Sequence, residues 1–315
     1  MKYCPVCSSG HLVDNDTLFD DRYGYPGRFE LMYCHECGHA FLQHAFIPEL
    51  LVELYSKYYP RSSFDIEQHK PHKEVLGLNA WFEGVGSAPF RWVPRNVRVL
   101  DIGCGFGESL GYYEARGCEA YGVEADKNIR RVADKFGYNV YVGLFEPDIY
   151  EPDFFDYVTM AQVIEHVVDP VETFKDVAKV LKPRGCLILS MPNAKGWGAR
   201  IFGKKWINWH APYHVHFFSG KSIKLAAEKA GLFIEKSKTT TSSQWLFYQW
   251  LHLATYPHMG QPSGFWSPKA VLTFKQKIIV KFISLIHLTK INHIITRFFD
   301  SLNMGDNLVL VLRKL

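Results

Sequence analysis

The sequence predicts an α/β protein: an open, doubly wound sheet, a small cysteine-rich domain before it and a helical insertion ahead of its last strand. Three observations carry this reading. An apolar segment, 97–102, runs into a glycine-rich turn, 103–107, and then a helical pattern, an order typical of parallel sheets. Two Cys-x-x-Cys pairs, Cys4/Cys7 and Cys34/Cys37, stand near the amino end. The chain closes on an apolar strand, 307–314, preceded by a basic stretch with helical spacing.

The cysteine pairs come first. They are separated by 26 residues that include Asp20-Asp21-Arg22-Tyr23-Gly24-Tyr25-Pro26-Gly27, a composition suited to a hairpin. Four thiolates on two knuckles predict a tetrahedral, structural Zn2+ held by Cys4, Cys7, Cys34 and Cys37, with no position open to water. A redox-active pair would open a helix in a βαβ unit, and neither pair does. His35 and His39 are then expected as exposed hairpin residues. Cys104, Cys118 and Cys186 fall in core segments, as in a protein of a reducing compartment.

The glycine turn reads Gly103-x-Gly105-x-Gly107 with Asp101 just before it. A dinucleotide turn places its third glycine one residue later. Glu124 closes a second apolar segment, 120–123, about twenty residues on, where a carboxylate can accept both hydroxyls of a ribose. Downstream, 155–160 reads as a strand, followed by Gln162-Val163-Ile164-Glu165-His166-Val167-Val168-Asp169-Pro170 and an amphipathic helix, 171–181. Lys182-Pro183-Arg184-Gly185 ends that helix, and the strand 186–190 finishes in Met191-Pro192-Asn193. This series resembles class I S-adenosylmethionine-dependent methyltransferases: the turn resembles their motif I, and the later segments resemble the group marked by "EH-V-x-DP", "LKPGG" and "(S/T)xPN" runs. Arg184 replaces one glycine of that pattern. The resemblance implies a Rossmann-like sheet, S-adenosylmethionine as cofactor, and Asp101, Gly103, Gly105, Gly107, Glu124, Ala125, Leu144 and Gln162 around it. An apolar or backbone contact from Gly143-Leu144-Phe145 would meet the adenine.

The resemblance also points to the reacting side. In ubiquinone-pathway O-methyltransferases an "E-x-x-E-H" run at this position can hold a divalent ion near the acceptor. Here Gln162 takes the place of the first acid, which weakens the metal reading, while Glu165 and His166 remain. His214 matches a "P-x-H" run after the fifth strand; His210 and His216 are additional. Glu165, His166 and His214 are therefore the catalytic candidates, with a histidine or water as base for a hydroxyl acceptor. Tyr55, Tyr58 or Tyr59 can reach the same region or simply pack.

Charge is distributed unevenly. No Asp or Glu occurs from Lys236 to Phe299, a stretch with eight Lys or Arg, although the whole chain is only +4. Lys277, Lys281, Ser284, His287, Lys290, His293 and Arg297 fall near helical spacing with Ile, Val, Phe and Leu on the remaining face. Such a helix is either a lid packed on the domain or a peripheral contact to an anionic bilayer through 270–299, and both readings stand. The bases are not interleaved with exposed aromatics, and the rest of the chain is acidic, which argues against nucleic acid.

The expected organisation is 1–44 zinc ribbon, 45–96 helical cap and linker with helices at 48–58 and 66–82, 97–243 methyltransferase core, 244–299 basic insertion and 300–315 last strand. The expected function is methyl transfer, with oxygen as the favoured atom, to a sugar, glycan, lipid-linked or small-metabolite acceptor. The expected setting is cytoplasmic, or peripheral at the inner face of a membrane. A sugar C-methyltransferase and a non-catalytic scaffold that keeps the fold are the alternatives; the first usually adds a carboxy-terminal domain for which this chain has no room. Oligomeric state is not indicated.

Overall fold

Residues 3–43, 53–58 and 66–315 are described by a computed structural model. The amino-terminal unit holds β1 (Leu12–Leu18), β2 (Phe29–Cys34) and β3 (Ala40–Leu42), an antiparallel set in which Leu12 faces Cys34 and Met32 faces Phe41. Leu18, Phe29, Leu31 and Leu42 bury one side of it.

The segment expected as a helix over 66–82 is not continuous. A short turn, Ile66–Gln68, is followed by non-helical chain, and α1 begins only at Gly77 (Gly77–Glu83). Pro71 lacks an N–H and disfavours helical backbone in the residue before it, so the periodic pattern cannot propagate through it. The helix expected at 48–58 lies mostly outside the described residues; only a helical turn, Leu54–Tyr58, is seen.

The central sheet alternates as the sequence pattern requires. It runs β4 (Arg98–Ile102), α2 (Glu108–Glu114), β5 (Glu119–Glu124), α3 (Ile129–Phe136), β6 (Asn139–Val142), β7 (Phe155–Ala161), α4 (Pro170–Val180) and β8 (Leu181–Pro192). Five parallel strands result, because β4 pairs with β5 and β7, β5 with β6, and β7 with β8. Asp169 explains the Asp-Pro dipeptide: its carboxylate accepts the N–H groups of Val171 and Glu172 at 3.0 and 2.9 Å, and Pro170 opens the helix where no donor is needed.

After β8 come α5 (Trp197–Phe202), β9 (His216–Phe217), α6 (Gly220–Glu228) and β10 (Leu232–Thr240). Then follow α7 (Ser243–Ala254), α8 (Phe274–Leu288), α9 (Ile291–Ser301) and β11 (Asn307–Lys314). The sheet order is β10-β11-β8-β7-β4-β5-β6, and β11 is antiparallel to both neighbours. Residues 308–312 are all buried, which is why β11 reads as an unbroken apolar run. The main core lies under β7, β8, β11, α4 and α6.

Two features depart from the expected organisation. β9 pairs with β3, so the ribbon sheet is completed by a strand from the core domain. The basic stretch is two helices bent by 67°, because Lys290 adopts a left-handed φ of 64°.

The end of β8 is fastened to the start of β11 by buried polar groups. Asn193 donates from Nδ2 to the Gly305 carbonyl at 2.8 Å, and its N–H reaches Asp306 O at 2.7 Å. The Asp306 carboxylate accepts Gly198 N–H at 2.7 Å and Trp206 Nε1–H at 3.0 Å. A Cβ at Gly198 would lie 2.1 Å from Asp306 Oδ2, so only glycine allows that approach. Gly198→Ala is expected to lower unfolding free energy by about 2 kcal/mol, read from urea midpoints.

Candidate active site

The glycine turn leaves β4 with φ values of 74°, 57° and 80° at Gly103, Gly105 and Gly107, a backbone open mainly to glycine. A Cβ at Gly103 would meet Val163 Cγ2 at 2.6 Å, so the turn packs against the loop after β7. Gly105 faces open space. Its N–H donates to Glu124 Oε2 at 3.1 Å, and Asp126 N–H donates to Glu124 Oε1 at 2.7 Å. The Glu124 carboxylate is thereby held at the mouth of the turn with lone pairs to spare for further donors. Ala125 and Leu144 follow β5 and β6, neighbouring strands in which Glu124 pairs with Val142; both side chains are exposed, Leu144 by 74%.

Asp101 is turned away from solvent. It is 5% exposed beneath the turn, where it accepts the Ser109 and Thr159 hydroxyls. These two bonds tether α2 and β7 to β4 beneath the turn. Burial raises its carboxyl to about pKa 6, against the two hydroxyls that pull it down. Gln162 is also engaged, donating from Nε2 to Ser190 Oγ at 3.2 Å and Asn307 Oδ1 at 3.3 Å. Its side chain joins β7, β8 and β11 at the end of the sheet.

Glu165, His166 and His214 are brought together. One side-chain atom of each lies within 4.8 Å of the others, and the His166 and His214 rings meet edge to face at 4.6 Å. His166 Nδ1 is 2.8 Å from Tyr213 O, and His214 Nδ1 is 2.8 Å from Asn208 O. A carbonyl only accepts, so Nδ1 carries the proton in both rings and the lone pair falls on Nε2. Burial depresses both imidazoles, His166 to about 4, and keeps them neutral at pH 7. Glu165 is 1% exposed, neither of its carboxylate oxygens has a hydrogen-bond partner among the described residues, and burial raises it to about 8.

His39 is a correction. It is fully buried, not an exposed hairpin residue, with Nε2 3.1 Å from His216 Nδ1 across the β3–β9 join. His35 is exposed as expected.

The ribbon supplies a residue that sequence reasoning missed. Asp20 accepts the N–H groups of Arg22, Tyr23 and Tyr25 at 2.9, 2.9 and 2.8 Å, which folds the loop so that Arg22 turns inward. Arg22 is 5% exposed, its guanidinium stacks 4.1 Å from the Trp266 ring centre, and it donates to Ile207 O. Its charge acts on His166, His210 and His214, adding to burial in holding them neutral. The loop's signal in sequence was a charged run, Asp20-Asp21-Arg22, inside an otherwise turn-like segment; charge alone marks a surface. Tyr58 packs edge to face on Tyr25 at 5.0 Å; the side chain of Tyr55 and all of Tyr59 lie outside the described residues.

The four ribbon cysteines are unpaired by disulfides and mutually within 4.8 Å, with Cys4–Cys37 and Cys7–Cys34 sulfur separations of 3.6 and 3.4 Å. Ligands about 2.3 Å from a tetrahedral centre stand roughly 3.8 Å apart, so little movement would close the shell.

A family model for a methyltransferase domain matches residues 57–237. Among relatives, a ubiquinone biosynthesis O-methyltransferase of Ralstonia nicotianae is 28% identical over 51% of this chain and 67% of its own length. One of Maricaulis maris is 32% identical over 47% and 61%. A solved structure of a putative sarcosine dimethylglycine methyltransferase from Galdieria sulphuraria is 15% identical, with a TM-score of 0.45 over 75% of this chain and 84% of that one. The chain belongs to the methyltransferase-domain family, as its turn, strand order and antiparallel last strand require. It is an S-adenosylmethionine-dependent methyltransferase.

Asp101 gives a pH test. Its folded pKa lies above the unfolded value, so its contribution falls as pH rises from about 4 to 6 and is most adverse above that range. Asp101→Asn is expected to remove about 3 kcal/mol of that pH-dependent loss, measured as the difference between denaturation curves at pH 4 and pH 7.

Proposed function

We propose that the protein methylates a hydroxyl oxygen of a small-molecule acceptor, with Gly103, Gly105, Gly107, Glu124, Ala125 and Leu144 seating the donor and Glu165, His166 and His214 handling the acceptor proton. The observation that carries this is the pair of imidazoles whose Nδ1 protons are fixed on backbone carbonyls. His166 belongs to the loop packed on the glycine turn, through Val163 against Gly103, and the His214 ring meets it edge to face. Oxygen is favoured because the relatives are named as O-methyltransferases. Those names give no support to a sugar, glycan or lipid-linked acceptor, nor to C-methylation.

Gly103, Gly105, Gly107 and Glu124 would hold S-adenosylmethionine, which when bound would offer its methyl group to the acceptor oxygen and keep the sulfur–carbon electron pair on its sulfur. The chain's task is to hold the two reactants in line and to take the proton, which an Nε2 lone pair can do. Arg22 places a fixed positive charge beside the histidines, and that charge favours the oxygen as an anion. Asp101 and Gln162 act as positioning residues, the first below the turn and the second at the strand ends.

Cys4, Cys7, Cys34 and Cys37 are proposed to hold structural Zn2+. A second reading of the acceptor cluster is a divalent ion on Glu165, His166 and His214, favoured by the two unpartnered oxygens of a buried Glu165. Such an ion would lower the acceptor hydroxyl's pKa. His214 would then stand in for the acid that Gln162 lacks. Free buried thiols at Cys104, Cys118 and Cys186 favour a reducing, cytoplasmic setting.

Calorimetric titration with S-adenosylmethionine should show Gly105→Val binding about tenfold or more weakly, since φ is positive and the side chain would occupy the open face. Unchanged affinity would remove the turn from the donor site. His214→Ala should keep donor affinity and lower turnover about 100-fold on hydroxylated small molecules. Metal analysis separates the two cluster readings: the ion reading expects one more metal per chain in the wild type than in Glu165→Gln, and equal content refutes it.

A further inference from the structure

The insertion shows its apolar side to solvent. In α9 the inward residues are Asn292, His293, Thr296 and Arg297, and the outward ones are Ile291, Ile294 and Phe298. At roughly 100° per residue these two sets lie on opposite faces, so the helix is polar inward and apolar outward. The inward set is bonded to its neighbours: Asn292 Nδ2 donates to Ser243 O at 2.8 Å, and Arg297 donates to Trp81 O at 2.8 Å and to Thr241 O while pairing with Asp300 at 2.8 Å. His293 Nδ1 is 3.2 Å from Phe82 O. The polarity is thus a stable packing arrangement, with helix ends and strand ends supplying the partners.

α8 repeats the pattern more openly. None of its residues is buried. Phe274, Ile278, Phe282, Leu285 and Leu288 form one stripe and are 55–80% exposed. Lys277 and Lys281 project on one edge of the stripe and Lys275 on the other, by the same helical count. Leu288 and Ile291 stand on either side of the bend. Singly exposed apolar residues need no explanation, but two consecutive stripes, the first rimmed by lysines, do.

We propose that α8 and α9 dock the protein on an anionic lipid bilayer, the apolar stripes entering the headgroup boundary and the lysines meeting negative headgroups. This goes beyond the methyl-transfer reading and does not depend on it. Charge decides the occupant. With no Asp or Glu from Lys236 to Phe299, this face would set lysine against lysine in a contact with its own copy, whereas an anionic surface meets it with the opposite sign. The helices have 15 and 11 residues, each short of the roughly 20 that cross a bilayer, so they would lie in the interface rather than span it.

Flotation of the full chain with vesicles tests this, using phosphatidylcholine alone and phosphatidylcholine with phosphatidylglycerol. Binding is expected to the second mixture, weaker in high salt, and little to the first. Lys275→Gln with Lys277→Gln and Lys281→Gln should weaken it by about fivefold per lysine. Phe282→Ser with Leu285→Ser should abolish it, while the thermal melt and S-adenosylmethionine affinity stay those of the wild type. Equal binding by these variants, or no binding by the wild type, overturns the proposal. A dimer seen by light scattering and lost in Phe282→Ser with Leu285→Ser, without vesicle binding, assigns the face to a second copy and overturns it equally.

Discussion

The cluster of Glu165, His166 and His214 depends on one backbone join. The Glu165 carbonyl accepts Val215 N–H at 2.9 Å and His216 N–H at 3.1 Å, and Leu42 N–H reaches Val215 O at 3.0 Å. One short stretch, 215–217, is therefore held on one side by the loop after β7 and on the other by the ribbon strand β3. Through Cys34 N–H to His39 O at 2.9 Å the same bonding continues to the cysteine knuckles. Lys221 and Lys229 reinforce it, their Nζ groups donating to Glu36 O and Val6 O at 2.7 Å. Whatever orders the four cysteines also orders the strand adjoining His214.

Burial does a second task at this seam. His39, His210, His214 and His216 are all nearly inaccessible, and desolvation pushes each imidazole down, so a region dense in titratable groups carries little positive charge besides Arg22. A single guanidinium among neutral rings is felt more strongly than one charge among many. Backbone carbonyls partner His166 and His214, and the His39 and His216 rings partner each other.

Much of the sheet was legible because its signals are local. A glycine turn after an apolar strand, Asp-Pro at a helix start and an apolar run at 308–312 each announce their own geometry. The spacing singled out Glu124, which lies at the mouth of the turn, and the resemblance singled out His166 and His214, which the fold brings together. What escaped notice depends on distant partners. Arg22 looks like a surface charge until Asp20 turns the loop inward; His39 looks exposed until β9 covers it. The bonds of Asp101 to Ser109 and Thr159 likewise depend on a helix and a strand that its own segment does not announce. The polarity of α9 also inverts the usual rule, because its inner neighbours are helix and strand ends that offer hydrogen-bond acceptors to polar side chains.

β11 is hydrogen-bonded on both sides, to β8 and to β10, although it is the last element in sequence. During synthesis β8 and β10 would emerge well before it, leaving between them a slot that no earlier strand is patterned to fill. The sheet would thus stay open along an apolar seam until 307–314 leave the ribosome, and the order of synthesis would delay its closure. A chain cut short before that point would expose two unpaired strand edges to chaperones and proteases, because the sheet closes only on a strand made after both of its neighbours.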